Sequence, residues 1–562
     1  MDDETLRFPH PCLPSPFAEP VDPDAARLPS WLQDPRPPVI WSVAGTDSGG
    51  GAGHAADQRA AAAMGVHLCP VVAAVTAQNS QGVQAVYPLP AEQIEAQMLA
   101  LSQDLRPRVV KTGLLGSTGA VEAVARSIDV LRERGPVGLV VDPVLGATAG
   151  GAAFADAAVL AAYRELLLPR ATLVTPNRRE AERLAGVAPG AGRIPELAAE
   201  LMRLGPQAVC ITGGDEQVEQ GSDELALDWF TGHIGPWLPN LGSTSGWLAL
   251  PRLASRHHHG SGCSFASGAA AALARGFALP DAMVLAKMLA WCGIRDGHAA
   301  GAGSGPLRPS AGLVCDPRAM PVMSFGDEPL DEVILARWRR VLSAEHGVRE
   351  HAGFARGLYA ITDQPQRVEA LAASGCFAHV QLRIKSRSGA DEAQEQGRIR
   401  AAVRQAVGGV GDSACRLWIN DHWRLALEEG APALHLGQED WTALSRDDKA
   451  LLLAEREAGR LELGLSSHSL WELARARGLA PSYVACGPVW ETTTKRMPWL
   501  PQGLSHLAWW TRMAGRPVVA IGGILSSQRL ARCAQAGASG ACLVRAAEDS
   551  ARWAEFAQAW RR

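Results

Sequence analysis

Short runs rich in valine, isoleucine and leucine recur along this chain, each followed by an alanine-rich stretch with helical spacing. This rhythm constrains the fold more than any other feature. The first series reads VIWSVAG, CPVVAAV, RVVKTGLL, GLVVDPVL, TLVTPN and AVCITGG, from Val39 onward. Runs apolar at nearly every position suit strands buried on both faces, and the helical segments between them supply the crossovers that parallel strands need. A parallel-sheet α/β domain is expected. A second series of eight follows: LYAIT, HVQLRI, LWIND, ALHLG, ELGLSS, YVACGPV, PVVAIGG and GACLVRA. Eight β/α units in about 200 residues fit a closed (β/α)8 TIM barrel of minimal size, with an open doubly wound sheet as the alternative.

At 562 residues the chain exceeds what one hydrophobic core usually serves, so two domains are expected. Residues 1–37 are rich in proline, aspartate and serine, end in DPRPP, and read as a disordered tail. The first strand series spans a domain at 38–300. The stretch at 301–354 opens with GAGSGPLRPSAG, has weak periodicity, and reads as a linker or a helical extension; the barrel fills 355–562.

The chain is 47% hydrophobic and 20% charged with a formal net charge of -4, which gives no electrostatic reason to expect nucleic acid or an anionic membrane as partner. Small metabolites are the expected partners, and a homo-oligomer is compatible with this composition. No apolar run reaches the roughly 20 residues of a membrane helix. The opening MDDETLRFPHPCLPSPF has acids and prolines where a secretion signal has basic and apolar regions, so a cytoplasmic location is expected. The 11 cysteines lack zinc-like pairing and read as buried thiols, not a disulfide framework.

Directly after the first strand run comes Ala44-Gly45-Thr46-Asp47-Ser48-Gly49-Gly50-Gly51-Ala52-Gly53, then a helix carrying Asp57. Glycines at such a turn let backbone amides approach a ligand, although tight packing alone also demands them. Far along the chain, His259-Gly260-Ser261-Gly262-Cys263-Ser264 leads into FASGAAAALARG, which sets the unpaired amides of a helix N-terminus around Cys263. That field is expected to lower the Cys263 pKa and favour a thiolate able to take a proton from a substrate hydroxyl; a small residue packed at a helix start is the alternative. Asp142 in VVDPV and Glu180 in TPNRRE stand at strand ends, where acidic groups suit a magnesium-nucleotide site.

These segments, AGTDSGGGAG, TAQNSQGV, KTGLL, VDPVL, TPN with Glu180, and HGSGCS, stand in the order found in hydroxymethylpyrimidine/phosphomethylpyrimidine kinases of the ribokinase-like superfamily, which residues 38–300 resemble. The resemblance implies ATP as co-substrate and Mg2+ near Asp142 and Glu180. It further implies that Asp57 and Gln78 hydrogen-bond the aminopyrimidine, that Cys263 is the base, and that Gly260 and Gly262 form the anion hole. Related pyridoxal kinases usually carry aspartate at the base position, so Cys263 favours the pyrimidine branch. Two features depart from the pattern. Thr212 stands in ITGG where the family often has lysine, and His257-His258-His259 is unusual, reading as an exposed polar turn or as a compensating charge.

The C-terminal runs end in polar groups with a common theme. Gln381, Arg383 and Lys385 end the second, Asn420-Asp421 the third, and His435 through Asp440 the fourth. Ser466 follows at the fifth, Thr492-Thr493-Thr494-Lys495 after the sixth, and Gly522-Gly523 after the seventh. On a barrel all of these lie on one catalytic face, where three basic side chains and two aspartates would bind a magnesium diphosphate. An Asn-Asp pair taken alone is commonly just a helix cap.

The set QLRIK, IND, HLGQED, TTTK and AIGGI resembles thiamine phosphate synthase over about residues 356–561. The resemblance implies that Gln381 and Ser466 bind substrate, and that Arg383, Lys385, Asn420 and Lys495 hold the diphosphate, with Lys495 catalytic. Asp421 and Asp440 would face Mg2+. Thr492, Thr494 and Gly523 would contact the thiazole phosphate or the diphosphate. Arg545 departs from the pattern, standing where the family generally has serine. The two resemblances reinforce each other, because two phosphorylations by the first domain make the diphosphate used by the second. A kinase for pyridoxal, or one half kept only as a binding module, are the competing readings.

Overall fold

The computed structural model describes residues 34–146, 155–214, 224–234, 243–343, 354–387, 389, 391–491 and 501–561. They divide into two compact units, with the second beginning beyond Ala344.

The first unit is built on a ten-stranded sheet. In chain order its strands are β1 (Val39–Thr46), β2 (His67–Asn79), β3 (Gly82–Pro88), β4 (Val109–Thr112), β5 (Gly138–Val141), β6 (Leu173–Val174), β7 (Ala208–Thr212), β8 (Leu225–His233), β9 (Ser243–Pro251) and β10 (Val322–Met323). Their spatial order is β10-β9-β8-β7-β6-β5-β4-β1-β2-β3. The six expected runs are the parallel strands β1, β2, β4, β5, β6 and β7, whose central members are buried at every position. The flanking strands β3, β8, β9 and β10 join antiparallel. The order in which strands are added reverses at β1, with β2 on one side and β4 on the other, and such a switch point opens a crevice beyond the strand ends.

Helices cover both faces of this sheet. The helix Thr118–Glu133 shows why: Ser117 caps its start by accepting a hydrogen bond from the Ala120 amide, and its apolar stripe buries Val121, Val124, Ile128 and Leu131. The helices Ser261–Ala274 and Leu279–Arg295 are buried over most of their length, which the small residues of the first permit.

Residues 301–343 correct the boundary expected at residue 300. β10 pairs with β9, Val322 opposite Ala249, and the helix Glu332–Ser343 buries Leu335, Trp338 and Leu342 against Leu225, Leu227 and Leu250. The stretch finishes the first unit's sheet edge and is no linker; its weak periodicity reflects the short 3-10 turns Ala311–Cys315 and Pro317–Ala319 that lead into β10.

The second unit is a closed barrel of β11 (Gly357–Thr362), β12 (Phe377–Leu382), β13 (Arg416–Asn420), β14 (Ala433–Leu436), β15 (Glu462–Ser467), β16 (Tyr483–Cys486), β17 (Val518–Ala520) and β18 (Gly540–Leu543). All neighbours are parallel, and β18 returns to β11 with Gly357 opposite Gly540, so the open-sheet alternative is excluded. Tyr359, Trp418, Ala433, Tyr483, Val519 and Cys542 fill the interior. No helix among the described residues is long and apolar enough to cross a membrane.

Candidate active sites

The strand ends of the first unit surround a cavity of about 570 Å³. Asp47 follows β1, Gln78 lies in β2, Lys111 in β4, Asp142 after β5, Thr175, Asn177 and Glu180 after β6, and Thr212 ends β7; the segment 258–263 closes the remaining side.

The glycine-rich loop after β1 is arranged differently from the expected cradle of outward amides. The amides of Gly49, Gly51 and Ala52 donate to the Asp47 carboxylate at 2.8–2.9 Å, and His259 Nε2 lies 3.0 Å from the same carboxylate. Burial raises the Asp47 pKa, but the bonds from His259, Ala52 and Gly49 outweigh it and take it down to about 2. Arg59 ties the loop from below by donating to the carbonyls of Gly50 and Gly51. The glycines serve close packing between loops: a Cβ on Gly51 would fall 2.0 Å from the His259 ring, and one on Gly260, whose φ is +86°, 2.3 Å from the Gly51 carbonyl oxygen. His259 is thus the pin between the two loops, with the Gln78 side-chain amide 3.2 Å from its Nε2. Reading the histidine run as an exposed turn missed this, because the partner stands 212 residues away.

Cys263 enters in the first turn of the helix Ser261–Ala274, and Gly262 faces open space. The Asp142 carboxylate and the Gly53 amide both act on the Cys263 thiol. The expected lowering of its pKa is overturned. Burial raises it, Lys111 pulls it down, Asp142 and Asp57 push it up, and it ends at about 12, so the thiol is protonated in the ligand-free cavity. Desolvation and two nearby carboxylates outweigh the helix N-terminus.

Asp57 is also not where the resemblance implies. It is fully buried and does not line the cavity; its carboxylate accepts from Ser42 Oγ at 2.6 Å, Ser267 Oγ at 2.7 Å and Lys111 Nζ at 3.0 Å. Lys111 is the residue that reaches forward, 3.7 Å from Asp142 Oδ2. Burial lowers the Lys111 pKa, but Asp57, Cys263 and Asp142 raise it on balance, so the ammonium persists. Burial likewise lifts Asp142 to about 6 against the pull of Lys111, and its Oδ2 has no hydrogen-bond partner. Glu180 accepts from the Asn177 and Leu145 amides at the head of the helix Arg178–Ala185. The cation absent at Thr212 has a neighbour that the sequence reading missed: Lys287 lines the cavity, paired at 2.7 Å with Asp228, which stands opposite Thr212 in the sheet.

At the barrel mouth, Gln381 and Asn420 are buried and joined by a 2.7 Å hydrogen bond, Arg383 is half-buried, and Lys385 is exposed. Asp421 is exposed at φ +63°, a left-handed conformation unusual outside glycine, held as its amide donates to the His435 carbonyl. Asp440 accepts from the Gly437 amide in the first turn of Gln438–Ala443. Ser466 lies 2.9 Å from His435 Nε2. Gly523 has φ +70°, and a Cβ there would strike Trp490 at 2.6 Å. Arg545 is exposed at the head of the turn Arg545–Glu548. Thr492, Thr494 and Lys495 lie outside the described residues.

The phosphomethylpyrimidine kinase family matches residues 47–308, and the thiamine monophosphate synthase family residues 358–547. The chloroplastic thiamine biosynthetic bifunctional enzyme of Arabidopsis thaliana is 31% identical over 505 residues, covering 87% of this chain and 85% of the relative. The probable chloroplastic counterpart of Oryza sativa subsp. japonica is 31% identical over 507 residues, covering 87% and 82%. The chain belongs to the bifunctional thiamine biosynthetic enzymes. A hydroxymethylpyrimidine/phosphomethylpyrimidine kinase of Streptomyces coelicolor is 39% identical over 272 residues, 48% of this chain and 94% of that protein.

This bifunctional enzyme therefore carries a hydroxymethylpyrimidine/phosphomethylpyrimidine kinase domain in its first unit and a thiamine phosphate synthase domain in its barrel. In the kinase domain the cavity gathers Gln78, Asp142, Glu180, Gly260, Gly262 and Cys263, and leaves Asp57 behind its wall. Lys111 was signalled only by its place in KTGLL, at the end of a strand with no exposed position. In the synthase domain, every expected residue that is described lies at or just beyond a strand's carboxyl end.

Proposed function

We propose that the kinase domain uses ATP to phosphorylate 4-amino-5-hydroxymethyl-2-methylpyrimidine and then its monophosphate, and that the barrel condenses the resulting diphosphate with hydroxyethylthiazole phosphate. The single observation that carries the kinase half is the meeting of Cys263, Asp142 and Lys111 at the mouth of a helix N-terminus within one cavity. The hydroxymethyl oxygen attacks the γ-phosphorus of ATP as the bond from that phosphorus to the β,γ-bridging oxygen breaks and ADP leaves, and the amides of Gly260, Gly262 and Cys263 stabilise the charge on the transferring group. Cys263, protonated at rest, accepts the hydroxyl proton as its own passes to the Asp142 carboxylate, which shares the cavity.

The acidic groups fit Mg2+ held largely through phosphate and water: Asp142 Oδ2 is buried with no hydrogen-bond partner, only the Lys111 ammonium at 3.7 Å, and Glu180 stands at the adjacent strand end. When bound, Mg2+ would offset the charge of the ATP phosphates in the kinase and of the leaving diphosphate in the barrel.

In the barrel, Arg383, Lys385, Asn420 and Lys495 would hold the diphosphate, Asp421 and Asp440 would hold its cation, and Thr492, Thr494 and Gly523 would contact the thiazole phosphate or the diphosphate. Breaking the bond from the pyrimidine methylene to diphosphate leaves a cation delocalised into the aminopyrimidine. The thiazole nitrogen then forms the new carbon–nitrogen bond, and the protein's part is positioning and charge neutralisation. A cytoplasmic location belongs to the same reading, since the ten free cysteines among the described residues suit a reducing compartment. Incubating the whole chain with the hydroxymethylpyrimidine, ATP, Mg2+ and thiazole phosphate tests the proposal: thiamine phosphate should form. Conversion of pyridoxal but not the pyrimidine would overturn it.

A further inference from the structure

Six side chains form one hydrogen-bonded chain across the inside of the barrel. Gln381 Nε2 donates to Asn420 Oδ1 at 2.7 Å, and Tyr359 Oη donates to Gln381 Oε1 at 2.9 Å. The Tyr359 and Tyr483 hydroxyls are 2.8 Å apart, Tyr483 Oη is 2.7 Å from His435 Nδ1, and His435 Nε2 is 2.9 Å from Ser466 Oγ. The members between the two ends are at most 8% exposed, so bulk water does not substitute for any link.

Counting protons gives the chain a direction. Each tyrosine has one hydroxyl hydrogen, and neutral imidazole has one N–H. With the Tyr359 hydrogen committed to Gln381, Tyr483 must donate to Tyr359. The Tyr483 oxygen then accepts from His435, which fixes the Nδ1–H tautomer. His435 Nε2 is left as an acceptor and takes the Ser466 hydroxyl hydrogen. His435 is buried with only hydroxyls on its two ring nitrogens, surroundings that suit the neutral ring. The opposite direction would turn the Asn420 carbonyl oxygen outward, toward an anion.

We propose that Tyr359, Tyr483 and His435 are positioning residues of the synthase. Their one-way relay makes Asn420 present its NH2 to the diphosphate and Ser466 present only lone pairs, so that the Ser466 end selects a pyrimidine bearing a hydrogen-bond donor, the 4-amino group, over a 4-oxo analogue. This inference rests on the synthase reading above. It reaches past that reading by coupling two substrate contacts through groups that touch neither substrate.

The test uses the full chain, with kinase turnover in the same sample as a control for folding and concentration. Tyr359→Phe and Tyr483→Phe should each raise KM for the pyrimidine diphosphate about fivefold or more while kcat changes less than twofold. Because one break interrupts the whole relay, the double variant should be little worse than either single one. Tyr483→Phe should also relax the preference for the amino over the 4-oxo diphosphate by about tenfold. Independently of activity, 15N spectra of the histidine-labelled protein, assigned with His435→Gln, should show His435 as the Nδ1–H tautomer. An Nε2–H tautomer, or unchanged KM and amino preference in both tyrosine variants, would overturn the relay while leaving the synthase reading intact. Failure of the wild-type chain to make thiamine phosphate would overturn that reading and the relay's role together.

Discussion

Lys111 Nζ lies 3.0 Å from Asp57 Oδ1, and both side chains are completely buried beneath the kinase cavity. Ser42 and Ser267 complete the shell of the carboxylate, so the pair is hydrogen-bonded as well as charge-matched. Removing one member of such a pair leaves a buried charge without its counterion. Lys111→Met should therefore destabilise the first unit by about 3–5 kcal/mol, and Asp57→Asn combined with Lys111→Met should recover part of that loss. Denaturant midpoints read through residual kinase activity give the measurement; equal midpoints for wild type and Lys111→Met would show that the pair carries little stability.

For Cys263, a pKa raised to about 12 by burial predicts slow chemistry with alkylating reagents, since only about one thiol in 10⁴ is thiolate at pH 8. Iodoacetamide should leave Cys263 unmodified while it labels a small reference thiol, as followed by peptide mass spectrometry. Cys263→Ala should lower kinase kcat about 100-fold with synthase turnover unchanged. Rapid alkylation would point instead to the thiolate expected from the helix N-terminus alone.

Asp421 combines a left-handed φ of +63° with an exposed carboxylate, and two substitutions separate these properties. Asn tolerates this backbone region, whereas Ala there is disfavoured by about 1 kcal/mol. Asp421→Asn should keep the barrel's thermal midpoint yet weaken magnesium-dependent synthesis, and Asp421→Ala should reduce both. Normal magnesium dependence in both variants would remove Asp421 from the cation site.

The barrel buries three histidines whose pKa values are depressed: burial takes His379 and His506 to about 4, and burial with the Arg383 charge takes His435 to about 3. In the unfolded chain each protonates near 6.5, so over the window from about 6.5 down to about 4 the unfolded state binds more protons. Stability of the second unit should thus fall as pH drops through that window, and stay level between pH 7 and 8. The melting midpoint of the synthase activity checks this. His506→Gln should flatten the fall, because His506 Nε2 has no hydrogen-bond partner to lose.

Much of this architecture is legible in the one-dimensional text. All six parallel strands of the first sheet and all eight of the barrel follow from runs whose apolar period is local, and the motif residues at their ends inherit the mouth of the fold from strand direction alone. The antiparallel strands do not stand out: no position of the edge strand Gly82–Pro88 is fully buried, polar residues and glycine interrupt the apolar runs of β8 and β9, and β10 is two residues long.

What only the tertiary structure decided is electrostatic and directional. Whether Asp57 faces a ligand or a lysine depends on Lys111, 54 residues away, and whether His259 is a turn or a pin depends on Asp47, 212 residues away. The helix N-terminus before Cys263 was readable, but its effect on the thiol was not. A pKa sums desolvation and every nearby charge, and Asp57, Lys111 and Asp142 reach that site on separate segments of the chain. The same holds inside the barrel, where Tyr359 and Tyr483 read as ordinary strand residues and Gln381 and His435 as separate polar groups at strand ends. Their hydrogen-bond direction exists only once the barrel closes and brings four separate strands within 3 Å contacts.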